Sequence, residues 1–366
     1  MTTHSFFPPS GAKAWRKCAA WPSMNQRYPQ EDTEESKEGT AAHWVAWGVH
    51  AGQEMREGMV APNGVIVTLE MLEGAEMLVA EINKLSNPKI EQTAIIPRVH
   101  ANCFGTPDVW AFDRDAMMLT VLDYKFGHRF VDEYENEQII SYVAGILEEI
   151  EEYGISDEFV TVNAIIVQPR CFYKGKPIRT WTFKASAIRG IVNDLHRAAH
   201  DALDADPIAT TNSECGDCSG RHACSVFQKT IYSDMEMSGR SVPFDLPPAA
   251  ASLELALLER AAERMKGRIT GLQQLVEANA RGGLPTPWHA LEPSYGRPKW
   301  TLPDEQIIAI GQMYKKDLSK PGVVTPNQAA KIGVDEAVIK AYSSVSSSTK
   351  LVPFDPKTIS RIFKND

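Results

Sequence analysis

The spacing of four cysteines constrains this chain more than any other feature. Cys215, Cys218 and Cys224 follow one another as Cys-x2-Cys-x5-Cys, close enough for one loop to wrap a metal centre, and Cys18 stands almost two hundred residues upstream in Trp15-Arg16-Lys17-Cys18. Thiolates are soft ligands that select zinc or iron–sulfur clusters. Three ligands in the loop and one near the start make four, so a shared centre would draw together the two ends of everything between them. By spacing alone a four-cysteine zinc site and an iron–sulfur cluster both qualify. The remaining two of the six cysteines, Cys103 and Cys171, lie in strand-like surroundings and read as small buried residues.

Between the cysteines the texture alternates. Ser10 can cap a short helix through about residue 20, a Trp-rich helix is expected over 39–53, and Thr68 can cap a third. Three strands follow, over 90–99, 103–112 and 118–126, with Asp113-Arg114-Asp115 as the turn between the last two. Ile139, Ile140, Val143, Ile146 and Ile150 then recur at helical spacing, and 160–168 is rich in Val and Ile, as a buried strand would be. A further strand is expected over 180–184 and a helix from Ser186 to about Leu203. The order is helices, three strands, helix, strand.

Within this order, Gly105-Thr106-Pro107-Asp108 precedes Asp123-Tyr124-Lys125 by fourteen residues. Side chains alternate along a strand, so Asp123 and Lys125 share one face, and Asp108 on the neighbouring strand can reach it. Two carboxylates and an ammonium at one place suit phosphodiester hydrolysis, where hard oxygens hold Mg²⁺ or Mn²⁺ and the metal activates water. An Asp/Lys ladder on an exposed hairpin face is the bland alternative. His43, Trp47 and His50 fall on one face of the early helix, and Gln138 and Tyr142 form an i, i+4 pair.

The successive strings Gly39-Thr40-Ala41-Ala42-His43, Gly105-Thr106-Pro107-Asp108, Asp123-Tyr124-Lys125 and Gln138-Ile139-Ile140-Ser141-Tyr142 resemble the motifs of RecB-like PD-(D/E)XK nucleases. The resemblance covers roughly residues 10 to 228 and is closest to the phage and prophage branch that carries an AddB-type iron–sulfur cluster. It implies an α/β fold: a restriction-endonuclease-like core, with a mixed sheet flanked by helices, and a helical C-terminal extension. It further implies that His43, Asp108, Asp123 and the Tyr124 carbonyl bind Mg²⁺ or Mn²⁺. Lys125 would be the catalytic lysine, with Gln138 and Tyr142 supporting the site and touching DNA. Cys18, Cys215, Cys218 and Cys224 would hold a 4Fe–4S cluster. One position departs from the pattern: where many relatives carry a glutamate four residues after the histidine, this chain has Trp47.

Composition sets limits on partners. A net charge of −9 argues against a general affinity for polyanions, although Lys13, Arg16 and Lys17, and Arg170, Lys174, Lys176, Arg179 and Lys184, form local basic clusters that would serve DNA or simply a solvated surface. No apolar run is long enough for a membrane span and the start lacks a signal-peptide pattern, so a cytoplasmic protein of a bacterial host cell, phage or prophage encoded, is expected. Thiols stay reduced in that compartment, which favours ligands over disulfides.

The expected organisation is a nuclease domain over 1–230, a Pro-rich linker over 231–248, and a mainly helical region over 249–366. Its long helix, 249–280, could dimerise, pack on the nuclease domain or dock a partner. Helices are also expected over 304–315 and 326–332, and Trp288, Arg297, Lys299 and Trp300 read as a local hydrophobic core with a basic rim, with contact to nucleic acid as the alternative. The leading functional expectation is a metal-dependent DNA exonuclease acting on single strands or end-containing duplexes in recombination or DNA processing, with a helicase or recombination partner. A non-catalytic iron–sulfur module that binds DNA or scaffolds a helicase is the alternative.

Overall fold

A computed structural model describes residues 5–29, 32–171, 176–238, 247–289 and 291. The expected helices over 304–315 and 326–332, together with Lys174, Arg297, Lys299 and Trp300, lie outside these residues. The fold is α/β, built on a mixed five-stranded sheet in the order β1-β4-β5-β6-β7. Its strands are β1 (Lys89–Ile90), β4 (Val109–Asp113), β5 (Met118–Tyr124), β6 (Thr161–Val167) and β7 (Ile178–Lys184). Only β5 and β6 run parallel; the other neighbours are antiparallel. A parallel pair needs a crossover. Helix α5 (Glu137–Glu151) supplies it, started by Asn136, whose side chain accepts the Gln138 and Ile139 N–H bonds.

Alternation along β5 assigns its two faces. Leu119 and Val121 join Ile139, Ile140, Val143, Ile146 and Ile150 of α5 in one core, which also takes in Val192 and Leu195 of α6 (Arg189–Asp201). Leu122 and Tyr124 join a second core with α3 (Glu34–His50) and α4 (Leu69–Ile82). The sheet is thus covered by helices on both faces. Each buried Ile or Leu contributes roughly 1.5–3 kcal/mol, so these two interfaces hold the strands in register. Apart from Val45, the residues that α3 buries are small (Ala41, Ala42, Ala46 and Gly48), which lets its backbone come close to α4 and the sheet.

Several elements differ from the sequence reading for local reasons. The stretch 90–99 breaks in two: Lys89–Ile90 pairs with β4, whereas β2 (Ala94–Ile95) pairs with β3 (Phe104–Gly105) in a separate ribbon. Glu91, with φ of 46°, turns the chain between them. The stretch 103–112 breaks at Pro107, which has no N–H to give a ladder. The turn at Asp113 forms as expected, with its carboxylate accepting the Asp115 and Ala116 N–H bonds. Near the start, α1 is only Ala12–Trp15, and α2 (Trp21–Arg27) follows with Pro22 in its first turn, where the missing N–H costs nothing. Thr68 caps α4, but Ser186 makes no cap: α6 begins after a short 3-10 turn, Ala185–Ile188.

The expected linker also needs correction. Helix α7 (Ser225–Ser238) occupies its first residues, and α8 (Pro248–Arg281) packs back on α7 through Arg264 and Asp234, 2.9 Å apart. One compact unit runs from Met1 to Ala278 and a second begins at Asn279. A boundary at 248 therefore does not separate α8 from the strands. In the second unit, Trp288 is 90 % exposed and packs into no core among the described residues.

Candidate active site

The end of β5 gathers side chains from four separate parts of the chain. Asp123, on the α5 face of the strand, is 3 % exposed, and its Oδ1 accepts bonds from Lys125 Nζ at 3.0 Å and Gln138 Nε2 at 3.2 Å. Lys125 Nζ also donates to Gln138 Oε1 at 3.2 Å, so one amide both receives from the lysine and gives to the aspartate. Asp123 Oδ2 is buried and makes no hydrogen bond, although Lys125 Nζ is 3.0 Å away. Asp108, just before β4, accepts the Tyr124 N–H at 2.7 Å and stands 3.5 Å from His43 Nδ1. The other ring nitrogen, Nε2, is 3.2 Å from the Tyr124 carbonyl oxygen, a bond that His43 donates when that nitrogen carries the proton.

Two supports fix this geometry. Gly105 is required by close approach: a Cβ there would come within 2.9 Å of the Pro9 ring and 3.1 Å of the Tyr142 ring. Tyr142, one turn beyond Gln138 on α5, receives the Gln138 Nε2 bond at 3.4 Å. On the other face, the Tyr124 hydroxyl fits against Gly74, where a Cβ would lie only 2.6 Å from it. Every residue singled out at this site from the sequence, His43, Asp108, Asp123, Tyr124, Lys125, Gln138 and Tyr142, is brought into one cluster.

Burial dominates the electrostatics. It pushes the Asp108 carboxyl up to about 6, with Asp123 adding to the rise and with His43, Lys125 and the Tyr124 N–H opposing it. Burial alone would lower the Lys125 ammonium, but the Asp123 and Asp108 carboxylates outweigh it and hold Lys125 protonated. Burial likewise pushes Tyr142 up to about 12, so its hydroxyl keeps its proton. Among the described residues no group of three or more His, Cys, Asp or Glu side chains, as packed here, is disposed to hold a single metal ion. The donor set nonetheless suits a hard divalent cation: two carboxylates, one with a buried oxygen that faces the Lys125 ammonium without accepting a hydrogen bond, beside a histidine and a backbone carbonyl.

One contributor was not visible from the chain alone. Glu91 donates its N–H to the Asp108 carbonyl at 3.0 Å, and its carboxylate accepts the Trp47 indole N–H at 2.7 Å. An acidic group thus stands beside the helix that carries His43, held by Trp47. The basic clusters fare differently. Arg170 is buried against Glu38, Glu70 and Phe126, and Arg179 is buried against Glu133 and Gln168. Lys13 and Lys17 pair with Glu214, and Arg16 with Asp194 and Glu137. Arg170 and Arg179 are thus spent inside the protein, whereas Lys13, Arg16 and Lys17 form their pairs while staying partly exposed.

The four cysteines also converge. Cys18, Cys215, Cys218 and Cys224 line a single cavity, walled by Trp21, Met24 and Phe227, and all are free thiols. Backbone N–H groups of Thr210, Asn212 and Phe227 point at the sulfurs of Cys18, Cys215 and Cys224, at 3.3 to 3.4 Å. Burial pushes the Cys218 thiol up to about 11, and its three neighbouring cysteines add to the rise. Sulfurs that share an apolar cavity and receive backbone donors fit a cluster of soft metal. Cys103 and Cys171 are buried elsewhere, and burial pushes Cys103 up to about 12.

The family model for DUF2800, described as a protein of unknown function, matches residues 4–313, most of the chain. The chain belongs to the DUF2800 family. The DUF2800 match takes in the strand-end cluster, the four cysteines and the whole of α8. No curated protein matches the sequence. Among the described residues of this DUF2800 protein, no helix is long and apolar enough to cross a membrane.

Proposed function

We propose that this DUF2800 protein is a divalent-metal-dependent DNA nuclease with a RecB-like PD-(D/E)XK core, and that it acts as an exonuclease in phage or prophage recombination or DNA processing in the bacterial cytoplasm. The observation that carries the reading is the meeting of Asp108, Asp123, Lys125, Gln138 and His43 at one strand end. The order of the motifs that supply them supports it too.

In this reading Asp108, Asp123, His43 and the Tyr124 carbonyl hold Mg²⁺ or Mn²⁺, which supplies charge neutralisation at phosphorus and an activated water. Lys125 is kept protonated and aimed by Asp123 and Gln138, and donates to a non-bridging phosphate oxygen as charge grows there. Gln138 fixes the lysine and the aspartate relative to each other, and Tyr142 fixes Gln138. Cys18, Cys215, Cys218 and Cys224 hold a 4Fe–4S cluster with a structural role.

The test is degradation of end-labelled single- and double-stranded DNA with Mg²⁺ or Mn²⁺, alongside relaxed closed circles. Linear DNA should disappear, circles should survive and EDTA should stop the reaction. Asp123→Ala and Lys125→Ala should each slow cleavage about a thousandfold or more while the far-ultraviolet circular dichroism spectrum stays that of the wild type. Wild-type rates in either variant would sink the assignment, and equal loss of circles would make the enzyme an endonuclease.

A further inference from the structure

Helix α8 uses one side to hold the rest of its own chain. Gly267 lies so close to the cysteine loop that a Cβ would come within 2.9 Å of Gly216 Cα, and Arg268 Nη1 donates to the carbonyls of Arg221 and His222 at 2.9 and 2.8 Å. Gly271 packs on Arg221, and Gln274 receives a bond from it. The far side carries a different pattern. Leu255, Leu258, Met265, Ile269, Leu272 and Val276 stand at alternating three- and four-residue steps, with Ala262 completing the series. That is the a/d spacing of a coiled-coil seam. Yet Leu255, Leu258, Ile269 and Leu272 are 38 to 55 % exposed, with Met265 and Val276 half-buried, so most of the stripe lies open among the described residues.

We propose that this stripe is an interface with a second copy of the chain, the two α8 helices lying antiparallel. Charge decides both occupant and direction. Glu259 and Lys266 occupy equivalent flanking positions beside the seam, and neither has an ion-pair partner among the described residues. In a parallel pair, Glu259 would face Glu254 of the other copy, a repulsion. In an antiparallel pair with the two-fold axis between positions 263 and 264, Glu259 of each copy meets Lys266 of the other, giving two attractions. The same alignment sets Leu258 on Ile269, Leu255 on Leu272 and Ala262 on Met265, so each of these seam layers is apolar on both sides, with the smaller Ala262 facing the larger Met265. A self-complementary surface of this kind is what a two-fold dimer requires.

Sedimentation velocity on the full-length chain tests this. The wild type is expected to sediment with twice the chain mass at micromolar concentration, and Ile269→Glu, at a position more than half exposed, should sediment as a folded monomer. Glu259→Lys should raise the dissociation constant roughly tenfold, because two attractions become repulsions, and adding Lys266→Glu in the same chain should restore it. A monomeric wild type overturns the proposal and would mean that the chain's own later residues cover the stripe. Persistence of the dimer in Ile269→Glu overturns it as well, and failure of the charge swap to restore affinity overturns the antiparallel pairing.

Discussion

Replacing Gln168 with alanine should cost the protein roughly a third of an ordinary domain's stability without touching any candidate catalytic group. Gln168 is fully buried just past the end of β6, and its amide ties down the loop that leaves the site after Lys125. Its Nε2 donates to the Gly127 and Arg129 carbonyls, each at 2.8 Å, and its Oε1 accepts from the Val131 N–H at 3.2 Å and Arg179 Nη2 at 2.9 Å. Three neutral bonds at about 1 kcal/mol and one charge-assisted bond at about 2 give about 5 kcal/mol. Water entering the gap recovers part of this, which leaves about 3–4 kcal/mol. Urea unfolding of Gln168→Ala should show the midpoint shifted with an unchanged slope, and amide exchange should accelerate selectively over 127–131. A loss under about 1 kcal/mol, or unchanged protection of that loop, would refute the reasoning.

Cys18→Ala should lower the melting temperature and raise protease sensitivity, since a shared cluster closes a loop of almost two hundred residues whose closure entropy is about 4 to 5 kcal/mol. Wild type purified without oxygen should be brown and contain iron and sulfide, and Cys103→Ala should keep the colour; stoichiometric zinc without iron would refute the cluster. Glu38→Gln should destabilise by about 1 kcal/mol at pH 7 through loss of the Arg170 pair, discounted for the partial exposure of Glu38. The Arg170 hydrogen bonds hold the Glu38 carboxyl below its ordinary 4.5 in the folded state, so this stability is present above pH 4.5 and is lost as pH falls through the folded value. The wild-type advantage should therefore shrink on acidification, and a constant gap down to pH 3 would argue against the pair. Gly267→Ala should destabilise by about 1–3 kcal/mol despite alanine's better helix propensity, because the new methyl meets the Gly216 backbone; a gain in stability would show that α8 does not sit there.

Apolar spacing and residue type were enough to read α5, α8 and the β5 and β6 strands, because each repeats its pattern over many residues and needs no distant partner to declare it. The strand-end cluster was likewise legible: alternation alone puts Asp123 and Lys125 on one face, and Gln138 faces them because Asn136 fixes where α5 begins. What the chain could not reveal was which charges are already used. Arg170 and Arg179 look like a basic surface in sequence, yet their partners, Glu38 and Glu133, lie 132 and 46 residues away, and only the packing of helices on the sheet brings them together. Glu91 reaches the site because its N–H bonds the Asp108 carbonyl across a break between two short strands, a break set by pairing rather than by local propensity. Local preference fixes what a segment becomes; the partner of a charged group is a long-range matter, decided where desolvation makes an unpaired charge too costly to bury.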